Sequence, residues 1–501
     1  MKYGLIHDGL RRWAKQTPDR PAFVLDGNEI LTYAELEAWS DGLAEHLQSL
    51  GVKPGDRVAV TGANSLGWLP AAFGILKAGA IEVPINDRFV RRELIEVVER
   101  ITPTVILADE ERREVLGEVG VPVLDLGDLD FARGGAREGW QRAEVSSDAP
   151  ALIVFTSGTT GIPKGVVFGH GRQCEKFGEF YIANPGCNLD ARILMPFSIH
   201  AAPGSQWGIF LATLAGGTMY FFRKFDAQKA LEVIERDRLT LLLGMPVLYE
   251  QICRLPGFAD ADLSAVGFAT VGGARMQPEI TRAWRDKGIA IRQLYGMTEV
   301  GGTGIVATEA DAQIEPDSCG RGMPWMRIRI VDEKGQDCPP GVQGQVLMRG
   351  PGMMLGYWQD EEATAKAIDA EGWMHTGDIA VIDEAGFFFF VDREKDIIIS
   401  GGFNISPSEI ERIVMRYDKV LEVSAFPVPD EKFGEVPGAA FHASAPVDTA
   451  QLFDHCKENL AGFKLPRHLF QHDGPLPRMV SNKIDRRALV KLYAARVGAT
   501  A

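Results

Sequence analysis

ALIVFTSGTTGIPKGVVFGH, residues Ala151–His170, begins as an apolar run typical of a buried strand and changes abruptly into hydroxyl residues and glycines. One cation, Lys164, then follows Pro163. Glycines let a backbone approach an anion closely, N–H and hydroxyl groups donate hydrogen bonds, and a lysine adds positive charge. The stretch predicts a phosphate-binding loop, with an ordinary polar turn as the alternative. It is not a Walker A loop, because there Ser or Thr follows the lysine.

Short apolar segments alternate with amphipathic segments before this loop. The pattern predicts strands at 57–62, 81–86 and 104–109 and helices at 67–80 and 91–101. The same alternation returns over 216–288. It favours an α/β fold, with mixed or parallel sheets flanked by helices. From about Gly322 the segments become short and are separated by Gly, Pro and Asp, which is typical of a β-rich subdomain.

The pattern of predicted strands and helices changes again at DREKD, residues 392–396. Beyond it the pattern predicts strands at 395–400, 421–430 and 439–445 and helices at 406–417 and 449–461, enough for a small α+β domain. The predicted division is therefore a large N-terminal domain at 1–392 and a small C-terminal domain at 396–501.

Composition limits the kinds of partner. The chain has 501 residues, 46% hydrophobic and 24% charged, with a net charge of −15. These values are ordinary for a globular protein whose core needs no disulfides, and the negative charge argues against a nucleic-acid surface. Anions must then be held by local cations and backbone N–H groups. The six cysteines, at 174, 187, 253, 319, 338 and 456, show neither CxxC nor zinc spacing, which favours a reducing compartment.

Targeting and membrane signals are not apparent. The N-terminal segment lacks the apolar core of a signal peptide. The longest apolar run is far shorter than the roughly 20 residues that cross a bilayer. We therefore expect a cytoplasmic protein with no membrane span, either a monomer or a homodimer.

Several motifs then occur in a consistent order. They are FTSGTTGIPKGV at 155–166, VGGARM at 271–276, YGMTE at 295–299, GWMHTGD at 372–378, VDREKDIIISGGFNISPSEIE at 391–411 and LPRMVSNKIDRRAL at 476–489. Together they resemble the AMP-forming acyl-CoA synthetases of the adenylate-forming superfamily over nearly the whole chain. The resemblance implies a carboxylate–CoA ligase that uses ATP, Mg²⁺ and coenzyme A. A carboxylate would attack the α-phosphate of ATP and release pyrophosphate, and a thiol would then displace AMP.

The resemblance also implies which residues bind the nucleotide. Tyr295 would stack on adenine, Asp378 would accept hydrogen bonds from the ribose, and Arg393 would reach ribose and phosphate. Taken alone, Asp378 is an ordinary turn aspartate and Arg393 a solvated surface charge. The other expected nucleotide-binding residues, from the phosphate loop, the adenine wall and the YGMTE motif, are Thr156, Ser157, Gly158, Thr159, Thr160, Gly161, Lys164, Gly272, Gly273, Ala274, Gly296, Met297 and Thr298.

Catalysis must neutralise charge, because a carboxylate approaches a polyanion. Lys483 matches the lysine of the family's C-terminal motif, which implies contact with the α-phosphate and the substrate carboxylate; Lys164 and Thr298 would act on the phosphates. Glu299, with Thr160, would bind Mg²⁺ through hard oxygen ligands. The alternatives are a solubilising lysine in a basic tail for Lys483 and a helix N-cap with a first-turn acid for Thr298 and Glu299.

A hinge is implied as well. Lys395 matches the family's hinge position, within 393–395, so the small C-terminal domain would be mobile. Its rotation would withdraw the C-terminal lysine and bring in Ser400, Gly401 and Gly402 as a channel for pantetheine; an ordinary turn after a strand is the alternative. Asn482 stands where the family usually has glycine, and asparagine tolerates positive φ better than most residues.

The acid pocket is expected between residues 200–210 and 295–304. Its lining would be His200, Trp207, Leu294, Gly301 and Gly302, with His200 as a catalytic group near the acyl carboxylate or, alternatively, as a structural histidine. The lining is apolar and rich in small residues, and Leu294 stands where some relatives with long pockets carry glycine. We therefore expect an apolar aromatic or short-to-medium-chain acid.

Other functions remain open from the residues. A stand-alone adenylation enzyme would load its acyl group onto a carrier-protein pantetheine, and a luciferase-like fate of the acyl-AMP is also possible. A catalytically inactive ATP-binding scaffold would have lost Lys164, Glu299, Asp378 or Lys483, and all four are present. A Walker-type NTPase lacks its motif here and would yield ADP rather than AMP.

Overall fold

The structure, a computed structural model, describes residues 4–156, 164–184, 190–201, 203–273, 276–400, 403–430, 432–479 and 483–494. The chain forms two compact units. The first contains Met1–Ile328 and Leu347–His375, and the second contains Arg329–Val346 and Thr376–Ala501. The predicted boundary at 393–395 lies within the second unit, so the division into 1–392 and 396–501 stays a prediction.

The helices and strands are numbered in chain order. The helices are α1 (Asp8–Gln16), α2 (Tyr33–Ser49), α3 (Trp68–Lys77), α4 (Arg91–Ile101), α5 (Glu110–Leu116), α6 (His170–Ala183), α7 (Phe210–Ala215), α8 (Ala227–Arg236), α9 (Pro246–Cys253), α10 (Pro278–Asp286), α11 (Glu309–Ile314), α12 (Glu361–Ala367), α13 (Pro407–Met415), α14 (Thr449–Asn459) and α15 (Arg486–Leu489). The strands are β1 (Pro21–Leu25), β2 (Glu29–Thr32), β3 (Arg57–Thr61), β4 (Ile81–Ile85), β5 (Val105–Ala108), β6 (Val123–Asp125), β7 (Pro150–Thr156), β8 (Lys164–Gly169), β9 (Arg192–Leu194), β10 (Thr218–Phe221), β11 (Leu241–Gly244), β12 (Phe268–Val271), β13 (Ile291–Tyr295), β14 (Ile305–Val306), β15 (Arg327–Val331), β16 (Gly344–Arg349), β17 (Gly356–Tyr357), β18 (Met374–Ile382), β19 (Phe388–Arg393), β20 (Ile398–Ser400), β21 (Phe403–Ile405), β22 (Val420–Asp430), β23 (Gly434–Ala443) and β24 (His468–Gln471).

Two sheets organise the first unit. One has the strand order β17-β8-β7-β4-β3-β5-β6, and the other has the order β14-β13-β12-β11-β9-β10-β1-β2. β3 runs parallel to β4 and β5, and β11 runs parallel to β9 and β12. The pairs β7–β8 and β13–β14 are antiparallel. The predicted α/β class with mixed sheets is therefore confirmed.

Local sequence explains where these elements begin and what they bury. Pro246 and Pro278 occupy the first turns of α9 and α10, where a missing N–H leaves no intrahelical bond unmade. Thr32 caps α2 by accepting from the Glu35 N–H. Strands β4 and β5 are buried along their whole length, as expected for parallel strands covered on both faces.

Most residues of the sheet β15-β16-β18-β19 belong to the second unit. The second unit also contains a sheet with the order β21-β20-β23-β22, to which β24 adds in parallel on β23. Helices α13 and α14 bury Ile410, Val414, Leu452 and Cys456 in one core with the strands. The strands and helices predicted beyond 396 are thus present. Across the described ranges, no helix is both long enough and apolar enough to cross a bilayer.

Candidate active site

A hairpin holds both ends of the phosphate loop. β7 ends at Thr156, β8 begins at Lys164, and these two residues are paired across the strands. The Thr156 hydroxyl donates to the Lys164 carbonyl at 3.5 Å. The predicted loop residues Ser157, Gly158, Thr159, Thr160 and Gly161 lie outside the described residues. The hairpin fixes where Lys164 leaves the sheet.

The side chain of Lys164 lies over an aromatic ring that the sequence did not single out. Its Nζ is 4.8 Å from the centroid of Tyr357. The Tyr357 hydroxyl donates to Glu299 Oε1 at 2.9 Å. Burial, followed by the negative charge of Glu299, raises the pKa of Tyr357, so the phenol stays protonated and keeps donating. Tyr357 therefore contacts both Lys164 and Glu299, although these two residues are far apart in sequence.

The YGMTE motif turns back on itself after β13. A Cβ at Gly296 would lie 2.2 Å from the Gly302 carbonyl oxygen, so a side chain has no room there. Gly301 has φ of +78°, which favours glycine. The short helical turn that follows begins at Thr298, and its N-cap is Met297, which makes no side-chain capping bond. The predicted alternative, in which Thr298 is an N-cap, is therefore wrong.

Glu299 is a credible Mg²⁺ ligand by its chemistry. It is buried, and one of its oxygens accepts from Tyr357. Within the described ranges, no group of three or more His, Cys, Asp or Glu residues is arranged to hold a metal by itself. Mg²⁺ that arrives with phosphates needs only one or two protein carboxylates, so a single buried glutamate fits an ion delivered with ATP.

The predicted adenine wall is only partly described. Gly272 lies against Leu294, because a Cβ there would come within 2.6 Å of Leu294 Cδ1. Gly273 has φ of +80°, and Ala274 lies outside the described residues. Tyr295 is buried. Leu294, expected in the acid pocket, thus packs against the residue expected at adenine.

Trp207 and the two glycines expected in the acid pocket come together. The Trp207 Nε1 donates to the Gly301 carbonyl at 3.0 Å, and a Cβ at Gly302 would lie 2.5 Å from that nitrogen. Phe177 and Phe180 meet the indole edge to face, with ring centroids 5.3 and 5.0 Å away. Both phenylalanines come from α6, and sequence analysis missed them because they look like ordinary core residues.

His200 has a carboxylate beside it. Its Nδ1 is 3.2 Å from Asp87 Oδ1. The Asp87 carbonyl accepts from Arg112 Nε at 3.0 Å, which holds that loop. Burial lowers the pKa of His200 to about 4, against the opposing effect of Asp87, so the imidazole is neutral near pH 7. Asp87 was not predicted, because nothing in sequence links it to position 200.

Four expected site residues gather in the second unit. Asp378 on β18 is paired with Arg393 on β19, and Arg393 Nε is 3.3 Å from Asp378 Oδ1. Lys483 is exposed as a residue, but burial of its amino group and then the charge of Arg393 lower its pKa, while Asp378 opposes this. The pKa of Lys395 is lowered by burial and then by Arg393. Arg393 and Asp378 therefore each influence both lysines.

The segment around Lys395 is tied to the chain just after Lys483. Arg486 Nη1 lies 3.1 Å from Asp396 Oδ2, and its Nη2 lies 2.9 Å from Glu411 Oε1. The C-terminal basic run is thus not simply a solubilising tail, because one of its members forms two ion pairs. Of the predicted pantetheine channel, Ser400 is buried. Gly401 and Gly402, like Asn482, lie outside the described residues.

Comparisons with known proteins identify the family of this chain. A family model described as AMP-binding enzyme matches residues 10–358. The 3-[(3aS,4S,7aS)-7a-methyl-1,5-dioxo-octahydro-1H-inden-4-yl]propanoyl:CoA ligase of Mycobacterium tuberculosis (strain ATCC 25618 / H37Rv) is 36% identical over 96% of this chain and 98% of its own. Feruloyl-CoA synthase of Amycolatopsis sp is 33% identical over 95% and 98%. The solved O-succinylbenzoate coenzyme A synthetase (MenE) from Bacillus subtilis, in complex with ATP and magnesium ion, has a TM-score of 0.87 at 28% identity over 96% of this chain and 98% of that one.

Proposed function

We propose an acid substrate for this chain, which belongs to the AMP-binding enzyme family and is an AMP-forming carboxylate–CoA ligase that uses ATP, Mg²⁺ and coenzyme A. The proposed substrate is an apolar aromatic or short-to-medium-chain carboxylic acid. The observation that carries this proposal is the position of Trp207. Its indole is held by the Gly301 carbonyl and flanked by Phe177 and Phe180. As a wall of the proposed acid pocket, this indole would be flat and apolar, which favours a ring or a short apolar chain over a charged group.

The names of the relatives support a ring-bearing acid. One is named for an octahydroindenyl propanoyl group and the other for a feruloyl group. Both are larger than a simple short-chain acid. Leu294 packs on Gly272, so it is proposed to close one side of the pocket while leaving room along the tryptophan.

Two lysines are proposed to act in the adenylation step. Lys164, at the end of the phosphate loop, would hold the β- and γ-phosphates with Thr156. Lys483 would contact the α-phosphate, where negative charge builds as the carboxylate attacks. Burial and then the charge of Arg393 disfavour the charged form of Lys483, and a bound phosphate would favour that form again. Asp378 would accept from the ribose hydroxyls.

Thr298 and Glu299 are proposed to serve the phosphates from the YGMTE motif. Thr298 would donate to the α-phosphate, and the Glu299 carboxylate would hold Mg²⁺. Mg²⁺, when bound with ATP, neutralises charge on the phosphate oxygens. His200 is neutral near pH 7, so its proposed role at the acyl carboxylate is to position that group by hydrogen bonding rather than to neutralise it.

The second half-reaction is proposed to use the same acyl-AMP after movement at Lys395. Ser400, Gly401 and Gly402 would then line the path of the pantetheine thiol, with glycines leaving a narrow passage. One chain would thus present different residues to the acyl group in the two steps.

The substrate proposal is tested by measuring AMP and pyrophosphate release across aromatic and straight-chain acids, with and without CoA. We expect CoA-dependent AMP release with ring-bearing acids and weaker release with long straight chains. Trp207→Leu is expected to lower kcat/KM for the aromatic acids about tenfold relative to straight chains, since it removes the ring that they would contact.

Trp39→Leu is the matched control. Trp39 is also buried, and its Nε1 donates to a backbone carbonyl, that of Leu129, at 2.8 Å. Its replacement is expected to lower stability but leave the ratio of aromatic to straight-chain activity unchanged. An unchanged ratio in Trp207→Leu would refute recognition of the acid by this indole. Substoichiometric pyrophosphate that CoA does not alter would point instead to loading of a carrier-protein pantetheine.

A further inference from the structure

Tyr357 contacts two residues that the proposed function assigns to the same ATP molecule. Its ring lies under the Lys164 ammonium, and its hydroxyl donates to a Glu299 carboxylate oxygen. Lys164 is proposed to hold the outer phosphates, and Glu299 is proposed to hold the metal. Both must be placed relative to one triphosphate, so a side chain that touches both is well situated to set their relative position.

The fold fixes the Tyr357 ring to the strand that carries Lys164. Tyr357 lies in β17, which pairs antiparallel with β8. The N–H of Leu355 donates to the Val167 carbonyl at 2.8 Å, and the N–H of Trp358 donates to the Gly165 carbonyl at 2.7 Å. The Tyr357 N–H donates to the Thr364 hydroxyl oxygen at 2.8 Å. The ring therefore cannot shift along β8 without breaking several hydrogen bonds.

The same segment is also attached to Glu299. The N–H of Met354 donates to the Glu299 carbonyl at 2.8 Å, while the Tyr357 hydroxyl holds the carboxylate of that residue at 2.9 Å. One short stretch, residues 354–357, thus bonds both the main chain and the side chain of Glu299. Its position determines where the carboxylate points.

We propose that Tyr357 is a positioning residue for the nucleotide site: its hydroxyl holds one oxygen of Glu299 so that the other oxygen faces Mg²⁺, and its ring keeps the Lys164 ammonium above it. This inference rests on the proposed roles of Glu299 and Lys164. A carboxylate that binds a metal gains from a hydrogen bond to its second oxygen, and loss of such a partner typically weakens metal binding 10–100-fold. A lysine over an aromatic face gains a smaller stabilisation.

Two substitutions separate the two contacts. Tyr357→Phe keeps the ring beneath Lys164 and deletes the hydroxyl, whereas Tyr357→Leu deletes both. Affinity for ATP is measured by calorimetry in excess Mg²⁺ and again in EDTA, so that the readout is binding rather than turnover. We expect Tyr357→Phe to weaken binding about tenfold in Mg²⁺ and to leave binding in EDTA unchanged. Tyr357→Leu is expected to weaken binding in EDTA as well, by about threefold.

Tyr33→Phe is the matched control for loss of a hydroxyl. Tyr33 is buried, and its hydroxyl donates to the Gly217 carbonyl at 2.7 Å. Its replacement is expected to lower Tm without changing the effect of Mg²⁺ on ATP affinity. If Tyr357→Phe behaves like this control, Tyr357 supports only the fold and the inference is overturned.

Glu299→Gln separates this inference from the proposed function. If Glu299→Gln keeps the full Mg²⁺-dependent gain in ATP affinity, the metal role of Glu299 fails, and the role of Tyr357 fails with it. If Glu299→Gln loses that gain while Tyr357→Phe retains it, Glu299 holds the metal and only the inference about Tyr357 is refuted. Loss of the gain in both variants, with unchanged binding of Tyr357→Phe in EDTA, supports the proposal.

Discussion

Replacing Glu82 with glutamine is expected to remove a pH-dependent loss of stability from the first unit. Glu82 lies in β4 opposite Val58 of β3 and Leu152 of β7, and all three are fully buried. Neither of its carboxylate oxygens has a hydrogen-bond partner among the described residues. An unpaired charge in such surroundings is strongly disfavoured, and burial raises the pKa of Glu82 to about 8.

The sign and size of the effect follow from proton binding. Between the ordinary pKa of 4.5 and the folded value of about 8, the folded state holds a proton that the unfolded state has released. The free energy of unfolding therefore falls as pH rises through this window, by about 1.4 kcal/mol per pH unit. The full window corresponds to about 5 kcal/mol. Glutamine keeps a similar shape but has no proton to lose, so the variant lacks this contribution.

Urea unfolding at a series of pH values from 5 to 9 measures the effect. The wild type and Glu82→Gln are expected to be similar near pH 5, and the variant should gain relative stability as the pH rises. Glu179→Gln is the control, because Glu179 is equally buried but has partners. Its carboxylate forms an ion pair with Lys176 at 3.1 Å and accepts hydrogen bonds from the Trp325 and Met326 N–H groups. The Glu179→Gln variant should be less stable than the wild type, because it leaves Lys176 as a buried charge without its partner carboxylate. A constant difference between wild type and Glu82→Gln from pH 5 to 9 would refute the reasoning.

Three predictions concern catalysis. Lys483→Ala is expected to abolish acyl-AMP formation but to spare acyl transfer to CoA from supplied acyl-AMP, because the lysine is proposed to act only while charge builds on the α-phosphate. Pyrophosphate release measures the first step, and acyl-CoA formation measures the second. Equal loss of both would contradict the assignment. Lys395→Pro is expected to impair the thiol step more than adenylation by stiffening the hinge, and normal thiolation in the same two assays would exclude a hinge there. His200→Asn is expected to leave the shape of the pH–rate profile unchanged between pH 6 and 8, because the pKa of His200 is lowered to about 4; loss of an inflection in the variant would show that His200 titrates there.

Local sequence was sufficient for much of the fold. The apolar and amphipathic alternation predicted β3, β4 and β5 to within a residue or so, and the helix expected at 91–101 is α4, Arg91–Ile101. These elements are determined by neighbours close in sequence. The change in the pattern of predicted strands and helices at 392–396 was visible too, but the second unit also includes Arg329–Val346. A contribution from so far upstream depends on strand pairing, which a local pattern does not encode.

Alternation alone gives a misleading expectation for Glu82. In IEVPI a charged residue between two apolar residues would ordinarily face solvent. The strand lies inside a sheet covered on both faces, so the position is fully buried. Glu82 lies between Val58 of β3 and Leu152 of β7, and the pairing with β7 depends on a strand about 70 residues further along the chain. The sequence pattern therefore predicts the strand but not the unusual ionisation within it.

The candidate site shows the same limit. Thr298, Glu299 and Lys164 were found because they lie in compact motifs with Gly, Thr and charge. Tyr357 and Asp87 were missed, since each contacts a partner that is distant in sequence, and a lone tyrosine or aspartate has no local signature. Motifs therefore identify the groups proposed to touch the nucleotide, whereas the groups that orient them emerge only from the tertiary contacts.

The charges of the second unit are consistent with the proposal that an acidic protein holds a polyanion there. The chain carries −15 overall, yet Arg393 lies close enough to influence both Lys395 and Lys483. Asp378 opposes it at both lysines, and Asp396 also opposes it at Lys395. Burial is the main cause of the lowered pKa of each lysine, and the charge of Arg393 is the second cause, so Arg393 and each lysine repel one another when no anion is bound. A phosphate placed among them would remove that repulsion while gaining attraction from each cation. If these groups bind the nucleotide as proposed, relief of this repulsion would favour binding locally, over a shorter range than the opposing net charge.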